Sequence, residues 1–464
     1  MADCSEKCAV FGVYASSSDV ARVTHAGLWT LQHRGQEGTG IAVSNGKTIE
    51  IKKGLGLVTQ VYSEEDISAL SGHISIGHNR YSTNGSSTYE HVQPVLRHNN
   101  QVALAHNGNL PDTTKLEGFL HSVGVPTSGC NDSEMMADAV QYYFIKGYSI
   151  EIAIKKAYPL FTGAFSIVVM TKDSLVACRD RCGIRPLVMG RVEHGHVFSS
   201  ESCVFPVIGA TFEREVLPGE MVSIDTKGVH TQQLAVGKQK FDIFEFVYFA
   251  RADSMFMGKR VNEVRRNFGR ELAKEAPANA DVIVAVPDSA FPAAEGFSKE
   301  SGIQVENGFI KNGYVHRTFI RPEQHLREQH LLMKLIPIPE VLQGRSVILV
   351  DDSIVRGTTT KRLVKQMKEA GAREVHVRIT APPTLYPDFY GIDTPKQSDL
   401  IAATKSLTEI TEYIGADSLA FLSLRGLIAA TGLPENVFST SCFTGKYPIS
   451  IGKKKKEVSE VIFR

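Results

Sequence analysis

The sequence carries almost no net charge: 51 lysines and arginines stand against 50 aspartates and glutamates, a formal +1. Nothing global therefore draws in nucleic acid or a membrane surface, and an anionic substrate has to be held by local geometry. Cysteine is sparse and odd in number, seven in 464 residues. They form no dense framework, which suits a reducing, cytoplasmic environment. No apolar run approaches the roughly 20 residues that span a bilayer. The opening Met-Ala-Asp-Cys-Ser-Glu-Lys lacks the basic and apolar regions of a secretory signal. There is no internal repeat, no low-complexity linker, and no Gly-x4-Gly-Lys-[Ser/Thr] sequence, so solenoids and P-loop ATPases are disfavoured. The Lys453–Lys456 run reads as a solvated tail rather than a binding patch. What remains is the composition of a globular enzyme, long enough that two domains are the natural expectation.

The texture changes along the chain. Residues 8–230 hold short apolar strands divided by Gly, Asn and Ser turns, among them Ile74–His78, Val102–His106, Phe165–Met170 and Val197–Ser199. Helical spacing interrupts them at Asp19–Leu31 and Ser133–Lys146. This is a layered α+β pattern. From about residue 255 the pattern is α/β: strands at Asp281–Val286, Ser346–Val350 and Glu374–Ile379 alternate with helices at Phe291–Ser301 and Thr358–Ala370. Uninterrupted Val/Ile runs between helices predict a parallel sheet covered on both faces. The boundary is expected at 235–255, giving domains 8–235 and 255–464.

The most specific local signal is Val347-Ile-Leu-Val-Asp-Asp-Ser-Ile-Val-Arg-Gly-Thr-Thr-Thr360. Four apolar residues form a buried strand that delivers Asp351 and Asp352 to its carboxyl end, where open α/β sheets bind ligands. Adjacent carboxylates there can accept hydrogen bonds from the vicinal hydroxyls of a ribose. Ser353 follows them, Gly357 permits an unusual backbone angle, and Thr358, Thr359 and Thr360 open a helix whose N–H groups suit a monophosphate. A second strand-to-helix turn, Val286-Pro-Asp-Ser-Ala290, is placed to hold pyrophosphate. Ser289, with Asp351 and Asp352, is a candidate contact for Mg²⁺, which needs oxygen ligands and accompanies phosphates. Lys311 begins a polar segment reaching Lys334 that reads as a lid over the leaving group.

The 347–360 stretch resembles the phosphoribosyl pyrophosphate motif of the type I phosphoribosyltransferases. More specifically, Phe249-Ala-Arg-Ala-Asp-Ser254, Val286-Pro-Asp-Ser289, Arg317-Thr-Phe-Ile320, Leu326-Arg-Glu-Gln329 and Cys442-Phe-Thr-Gly-Lys-Tyr-Pro448 resemble the amidophosphoribosyltransferases. Position 252 is Ala where that family usually has Pro. The resemblance implies a doubly wound parallel-sheet domain with Asp351, Asp352, Ser353, Gly357, Thr358, Thr359, Thr360 and Lys311 around phosphoribosyl pyrophosphate.

Cys8 opens the strand-like Cys-Ala-Val-Phe-Gly12. A lone cysteine is more often buried filler than a nucleophile. The company it keeps changes that reading: Leu31-Gln-His-Arg-Gly-Gln-Glu37, Gly77-His-Asn-Arg-Tyr-Ser-Thr83, Ala105-His-Asn-Gly-Asn-Leu110, Asn131-Asp-Ser133 and Arg179-Asp-Arg-Cys-Gly-Ile-Arg-Pro-Leu187 resemble the class II glutamine amidotransferases. That likeness implies a four-layered αββα fold of the Ntn-hydrolase type, with residues 1–7 a propeptide and Cys8 the mature N-terminus, its own α-amine serving as base. Asn107 and Gly108 match the oxyanion hole. Arg80 matches the clamp on the glutamine carboxylate and Asp132 the acceptor for its ammonium group. Cys4 is a rival nucleophile without a strand behind it. Cys178 and Cys182 are a weak metal pair, and His33 and His106 read as structural.

Some members of the resembled family hold an iron–sulfur cluster on four cysteines. The matching positions here are Asp242, Asp388, Ser439 and Cys442, one thiolate in four, so no cluster is expected. The expected reaction is the first committed step of purine synthesis: ammonia from glutamine displaces pyrophosphate from phosphoribosyl pyrophosphate. The resemblance also implies a homodimer or homotetramer and feedback inhibition by purine nucleotides. The competing readings are a different glutamine-dependent transferase, such as a glucosamine-phosphate synthase, and a non-enzymatic phosphoribosyl pyrophosphate sensor. The first lacks the 347–360 motif. The second gives no reason to keep Cys8, Arg80, Asn107 and Asp132 together.

Overall fold

The computed structural model describes residues 8–16, 19–81, 88–312, 335–392, 394 and 396–463. The proposed leader, Cys4 and most of the polar segment after Lys311 lie outside these residues, as do the Arg317–Ile320 and Leu326–Gln329 motifs.

Alternation along Ala9–Ala15 sets the first half. Ala9, Phe11 and Val13 pack with Val20, Ala21 and Leu28 of the helix Val20–Thr30, while Val10 points the other way, into a core shared with a second sheet. The first sheet has seven antiparallel strands in the spatial order Thr211–Glu215, Val188–Val192, Gly195–Ser199, Ala9–Ala15, Ile74–Arg80, Gly38–Ser44 and Ile49–Leu55. The second has six, running Gly228–Gln233, Glu220–Asp225, Leu175–Arg179, Thr162–Met170, Val102–Asp112 and Val95–Arg97. Between them Val10, Ala42, Ile74 and Ile76 meet Ala103, Ala105, Val168 and Ala177. The outer face of the second sheet is covered by helices Thr114–Ser122, Asp132–Ile145 and Ile150–Ala157. This is the αββα sandwich, with the period of two sending alternate residues to two different apolar layers. A capping box starts the helix at Asp132: Asn131 Oδ1 accepts from Glu134 N at 2.9 Å and Glu134 Oε2 from Asn131 N at 2.8 Å. The cap holds Asp132 and Ser133 in the first turn.

In the second half, Val282–Ala285, Ser346–Asp351, Glu374–Ile379 and Ser418–Phe421 form a parallel sheet in that order. Val305 bridges Ile283 on the far edge, with Ile283 N to Gln304 O at 2.8 Å and Glu306 N to Ile283 O at 2.9 Å. The strand order therefore reverses between Val282–Ala285 and Ser346–Asp351. That reversal is the switch point at which doubly wound sheets bind ligands, and the two turns selected from sequence leave those two strands. Among the described residues no helix is long and apolar enough to cross a membrane.

The halves are stitched together. Phe241–Asp242 pairs in parallel with Phe438–Ser439, and Ala164, Cys182 and Ile184 pack with Tyr390, Ile449 and Ile451. The lysine run sits on the turn Gly452–Glu457, its side chains exposed, next to the anchored Ile451.

Candidate active sites

The register of the first sheet, Ala9 opposite Asn79, brings Cys8 level with Arg80. The Cys8 thiol lies 3.6 Å from the Tyr81 carbonyl oxygen. Burial pushes this thiol above its ordinary range; the Arg80 guanidinium offsets part of the rise, and the Asp132 and Glu37 carboxylates add to it. Arg80 donates from Nη1 to His91 O at 2.9 Å, while its buried Nε has no partner among the described residues. On Val102–Asp112, the strand next to the edge of the second sheet, Asn107 is 1% exposed and its Nδ2 is likewise a buried donor without a partner among the described residues. Such donors are costly to bury alone, and at a functional site they mark where a ligand's oxygen belongs. Asp132 accepts from Leu110 N at 3.0 Å and from Ser133 N at 2.8 Å.

Two buried histidines nearby make hydrogen bonds between elements of the fold. His78 Nε2 meets the His106 carbonyl at 3.1 Å, and burial with the Arg80 charge drives its pKa down to about 3. His106 Nδ1 meets Ser133 Oγ at 3.0 Å, and burial lowers its pKa too. Gln93 locks both elements, accepting from His106 N at 2.7 Å and donating to Ser133 Oγ at 3.0 Å.

Behind Cys8 is a buried charge cluster. Arg34 donates from Nε to the Cys8 carbonyl at 3.4 Å, from Nη1 to Glu201 at 2.5 Å and from Nη2 to Glu245 at 2.9 Å. Arg185 pairs with Glu245 and reaches Asp242 at 2.8 Å. Arg34 is 1% exposed, and Arg185, Glu201 and Glu245 are 0%. Burial alone would raise the Glu201 pKa, but His33 and Arg34 outweigh it and hold the carboxyl well below the usual range. The unfolded chain thus binds a proton that the folded chain refuses. The cluster's stabilisation is present above the ordinary Glu value of about 4.3 and is lost as pH falls below it. Arg34→Ala removes the guanidinium shared by two buried carboxylates, leaving Glu201 to His33 and Glu245 to Arg185, and we expect it to destabilise the chain by roughly 3–5 kcal/mol, read as a lower urea midpoint at pH 7.

The second site gathers at the switch point. Asp351 and Asp352 are each 1% exposed. Ser289 Oγ donates to Asp352 Oδ2 at 2.5 Å and Ser353 Oγ to Asp352 Oδ1 at 2.7 Å, so one carboxylate joins the two turns. Lys311 pairs with Asp288 of the 286–290 turn. Gly357, at φ +76°, precedes the helix Thr358–Glu369, whose first turn carries Thr358, Thr359 and the buried Thr360. Buried Arg265 faces the charge of Asp352; burial pulls its pKa down to about 10. A cavity of about 330 Å³ is lined by His33, Arg34 and Gln36 from one half and by Tyr248–Ala252, Arg265, Pro287–Ser289 and Lys311 from the other. Arg34, bonded to the Cys8 carbonyl, borders it on one side, and Ser289 and Lys311 border it on the other.

Comparison with known proteins decides the family. Residues 78–206 match the glutamine amidotransferase domain family and residues 257–383 the phosphoribosyl transferase domain family. The amidophosphoribosyltransferase of Synechococcus elongatus is 47% identical over 458 residues, covering 97% of this chain and 93% of its own length. That of Bacillus subtilis is 42% identical over 455 residues, 96% of this chain and 95% of its own. The chain belongs to the amidophosphoribosyltransferase family. The solved structure of the B. subtilis glutamine phosphoribosylpyrophosphate amidotransferase superposes with a TM-score of 0.89 at 42% identity, covering 96% of this chain and 98% of that one.

As an amidophosphoribosyltransferase it is an enzyme of purine biosynthesis with a glutaminase half and a phosphoribosyltransferase half. The charge cluster behind Cys8 is not legible in the sequence. Arg34 and Arg185 stand inside the quoted motifs, yet Glu201 and Glu245 carry no local sign of burial. Gln93 and the contact between Ser289 and Asp352 are not legible for the same reason.

Proposed function

We propose that Cys8 is the nucleophile of the glutaminase and that the switch point binds phosphoribosyl pyrophosphate. The observation that carries this reading is the 330 Å³ cavity between the halves, bordered on one side by the arginine bonded to the Cys8 carbonyl and on the other by Ser289 and Lys311. The Cys8 thiolate, deprotonated by its own α-amine once residues 1–7 are removed, attacks the glutamine amide carbon. Arg80 binds the substrate carboxylate and Asp132 its ammonium group. The developing oxyanion accepts hydrogen bonds from Asn107 Nδ2 and Gly108 N. Collapse releases ammonia, and water then cleaves the thioester to glutamate. Ammonia crosses inside the protein and displaces pyrophosphate from C1 of phosphoribosyl pyrophosphate, giving phosphoribosylamine.

Asp351 and Asp352 hold the ribose hydroxyls, Ser353, Gly357 and Thr358–Thr360 the 5-phosphate, and Ser289 and Lys311 the pyrophosphate. These residues fit Mg²⁺. The donors are all oxygen, and among the described residues no group of three or more His, Cys, Asp or Glu forms a protein cage; Mg²⁺ typically keeps waters and substrate phosphates as ligands. Ser289, Asp351 and Asp352 would hold it, where it would neutralise charge on the departing pyrophosphate. Purine nucleotides are the proposed feedback inhibitors, supported by the ADP and GMP in the B. subtilis relative. The enzyme is proposed to act in the cytoplasm as a homodimer or homotetramer.

We further propose that no iron–sulfur cluster is bound. Side-chain hydrogen bonds engage the non-cysteine positions: Asp242 pairs with Arg185 at 2.8 Å, Asp388 accepts from Ser441 Oγ at 3.3 Å, and Ser439 Oγ donates to Ser441 Oγ at 3.4 Å. Anaerobically purified protein is expected to contain no acid-labile sulfide; stoichiometric iron and sulfide would overturn this.

Glutamate and pyrophosphate release, measured with and without phosphoribosyl pyrophosphate and Mg²⁺, tests the coupled reaction. Matched release, with glutaminase stimulated by the second substrate, is expected. Glutamate release indifferent to phosphoribosyl pyrophosphate would sink the coupling.

A further inference from the structure

A loop of the phosphoribosyltransferase half reaches back into the glutaminase site. Gly108 has φ +150°, and a Cβ on it would fall 2.0 Å from the Ala164 carbonyl oxygen. Its strand partner therefore crowds it, and only glycine fits. From the other half, Gly391, at φ +109°, comes so near that a Cβ there would lie 3.1 Å from both Cα and C of Gly108. One residue further on, Asn109 Nδ2 donates to Phe389 O at 2.8 Å, a bond spanning 280 residues.

The loop that makes these contacts is itself held firmly. The Asp388 carboxylate accepts from Tyr390 N at 2.7 Å, Ile392 N at 3.3 Å and Ser441 Oγ at 3.3 Å. Tyr390 is fully buried, donates to Ile449 O at 2.5 Å and accepts from Ile449 N at 3.0 Å. Its ring packs in the cluster that contains Ala164. Segment 387–392 is thus pinned to its own domain by a buried carboxylate and to the other domain through Asn109 and that shared core.

We propose that Gly391, acting with Asn109, is a positioning residue for glutamine hydrolysis: the 387–392 loop fixes the Gly108 peptide in the orientation that stabilises the oxyanion. This rests on the assignment of Asn107 and Gly108 as the oxyanion donors. An oxyanion donor works only within about 2.7–3.1 Å of where the charge develops, and productive sites tolerate displacements of only about 0.5 Å. A peptide touched by a second domain inherits that domain's position. The glutaminase is therefore tuned through backbone contact with the domain that consumes its ammonia.

The test uses the full chain with Gly391→Ala and, separately, Asn109→Ala. Each is expected to lower kcat for glutamine hydrolysis by roughly 10–100-fold, approaching the ~10²–10³ lost when a donor is removed outright. KM for glutamine should stay within about twofold, as expected when only a transition-state interaction is lost. Phosphoribosylamine synthesis from added ammonia should be unchanged. Alkylation of Cys8 by iodoacetamide, a displacement at a methylene carbon that develops no oxyanion, should keep its wild-type rate; a general distortion of the site would slow it. If Gly391→Ala also loses ammonia-dependent synthesis, that variant has misfolded and Asn109→Ala decides. A wild-type kcat, or a raised KM with kcat unchanged, in a variant that retains ammonia-dependent synthesis overturns the proposal. Cys8→Ala is run alongside: glutaminase surviving there would sink the nucleophile reading itself, whereas its loss beside an unaffected Gly391→Ala sinks only the inference about the loop.

Discussion

Cys8→Ala is expected to abolish glutamate release from glutamine, by on the order of 10⁴-fold or more as for other covalent nucleophiles, while phosphoribosylamine still forms from added ammonia. The separation follows from the two sites being built on different sheets. Cys8 lies at the head of a central strand of the αββα sandwich, whereas Asp351 and Asp352 end a strand of the parallel sheet. Among the described residues, Cys178, Cys182, Cys203 and Cys442 are buried, and Cys130 is half-buried. Burial and the Arg80 charge push the His78 pKa down to about 3, and burial also lowers that of His106, whose Nδ1 meets Ser133 Oγ; both shifts weaken a histidine as the base for Cys8. Burial raises the Cys8 thiol, so its proton needs an acceptor. The proposed acceptor is the α-amine of a processed N-terminus. Mass spectrometry of the active protein should therefore find Cys8 as its first residue; active protein beginning at Met1 or Ala2 would refute the processing step.

The second large effect is expected from Asp352→Asn. Phosphoribosylamine formation should fall by roughly 10²–10³-fold or more, whether ammonia comes from glutamine or from solution, a loss of the size seen when one preorganised electrostatic contact is removed. Glutamate release measured without phosphoribosyl pyrophosphate should persist. Asp352 is 1% exposed and accepts from Ser289 and Ser353 at 2.5 and 2.7 Å. The amide that replaces it would turn an N–H donor toward one of these hydroxyls and remove the charge facing Arg265. The turn carrying Ser289 and the turn carrying Asp352 and Ser353 would then lose their common anchor. Pyrophosphate release with saturating ammonium chloride measures the effect, and an unimpaired rate would remove Asp352 from the site.

Much of this architecture is legible in the residues alone. Alternation in Ala9–Ala15 and the apolar run ending in Asp351 are local patterns, and local backbone physics converts them directly into a two-sided strand and a buried one. The Asn131–Glu134 capping box lies just ahead of the predicted helix and sets Asp132 at its first turn. The helix Thr114–Ser122, the helix Ile150–Ala157 and the strand Ser418–Phe421 are not legible in the same way. Each is short, and its apolar residues become decisive only against a partner layer.

By itself, then, the sequence determined the two kinds of sheet, the strand-end carboxylates, the glycine and threonines that follow them, and the cysteine at the head of its strand. Each of these is specified by residues within about one element of one another. Tertiary structure alone decided the reversal of strand order at Val305, the bond from Ser289 to Asp352, and the contact of Gly391 with Gly108. It also decided the burial of Arg34 between Glu201 and Glu245, partners 167 and 211 residues away. A charge is compatible with solvent anywhere in a sequence; only the fold, by removing the water, turns it into an obligatory partner for another.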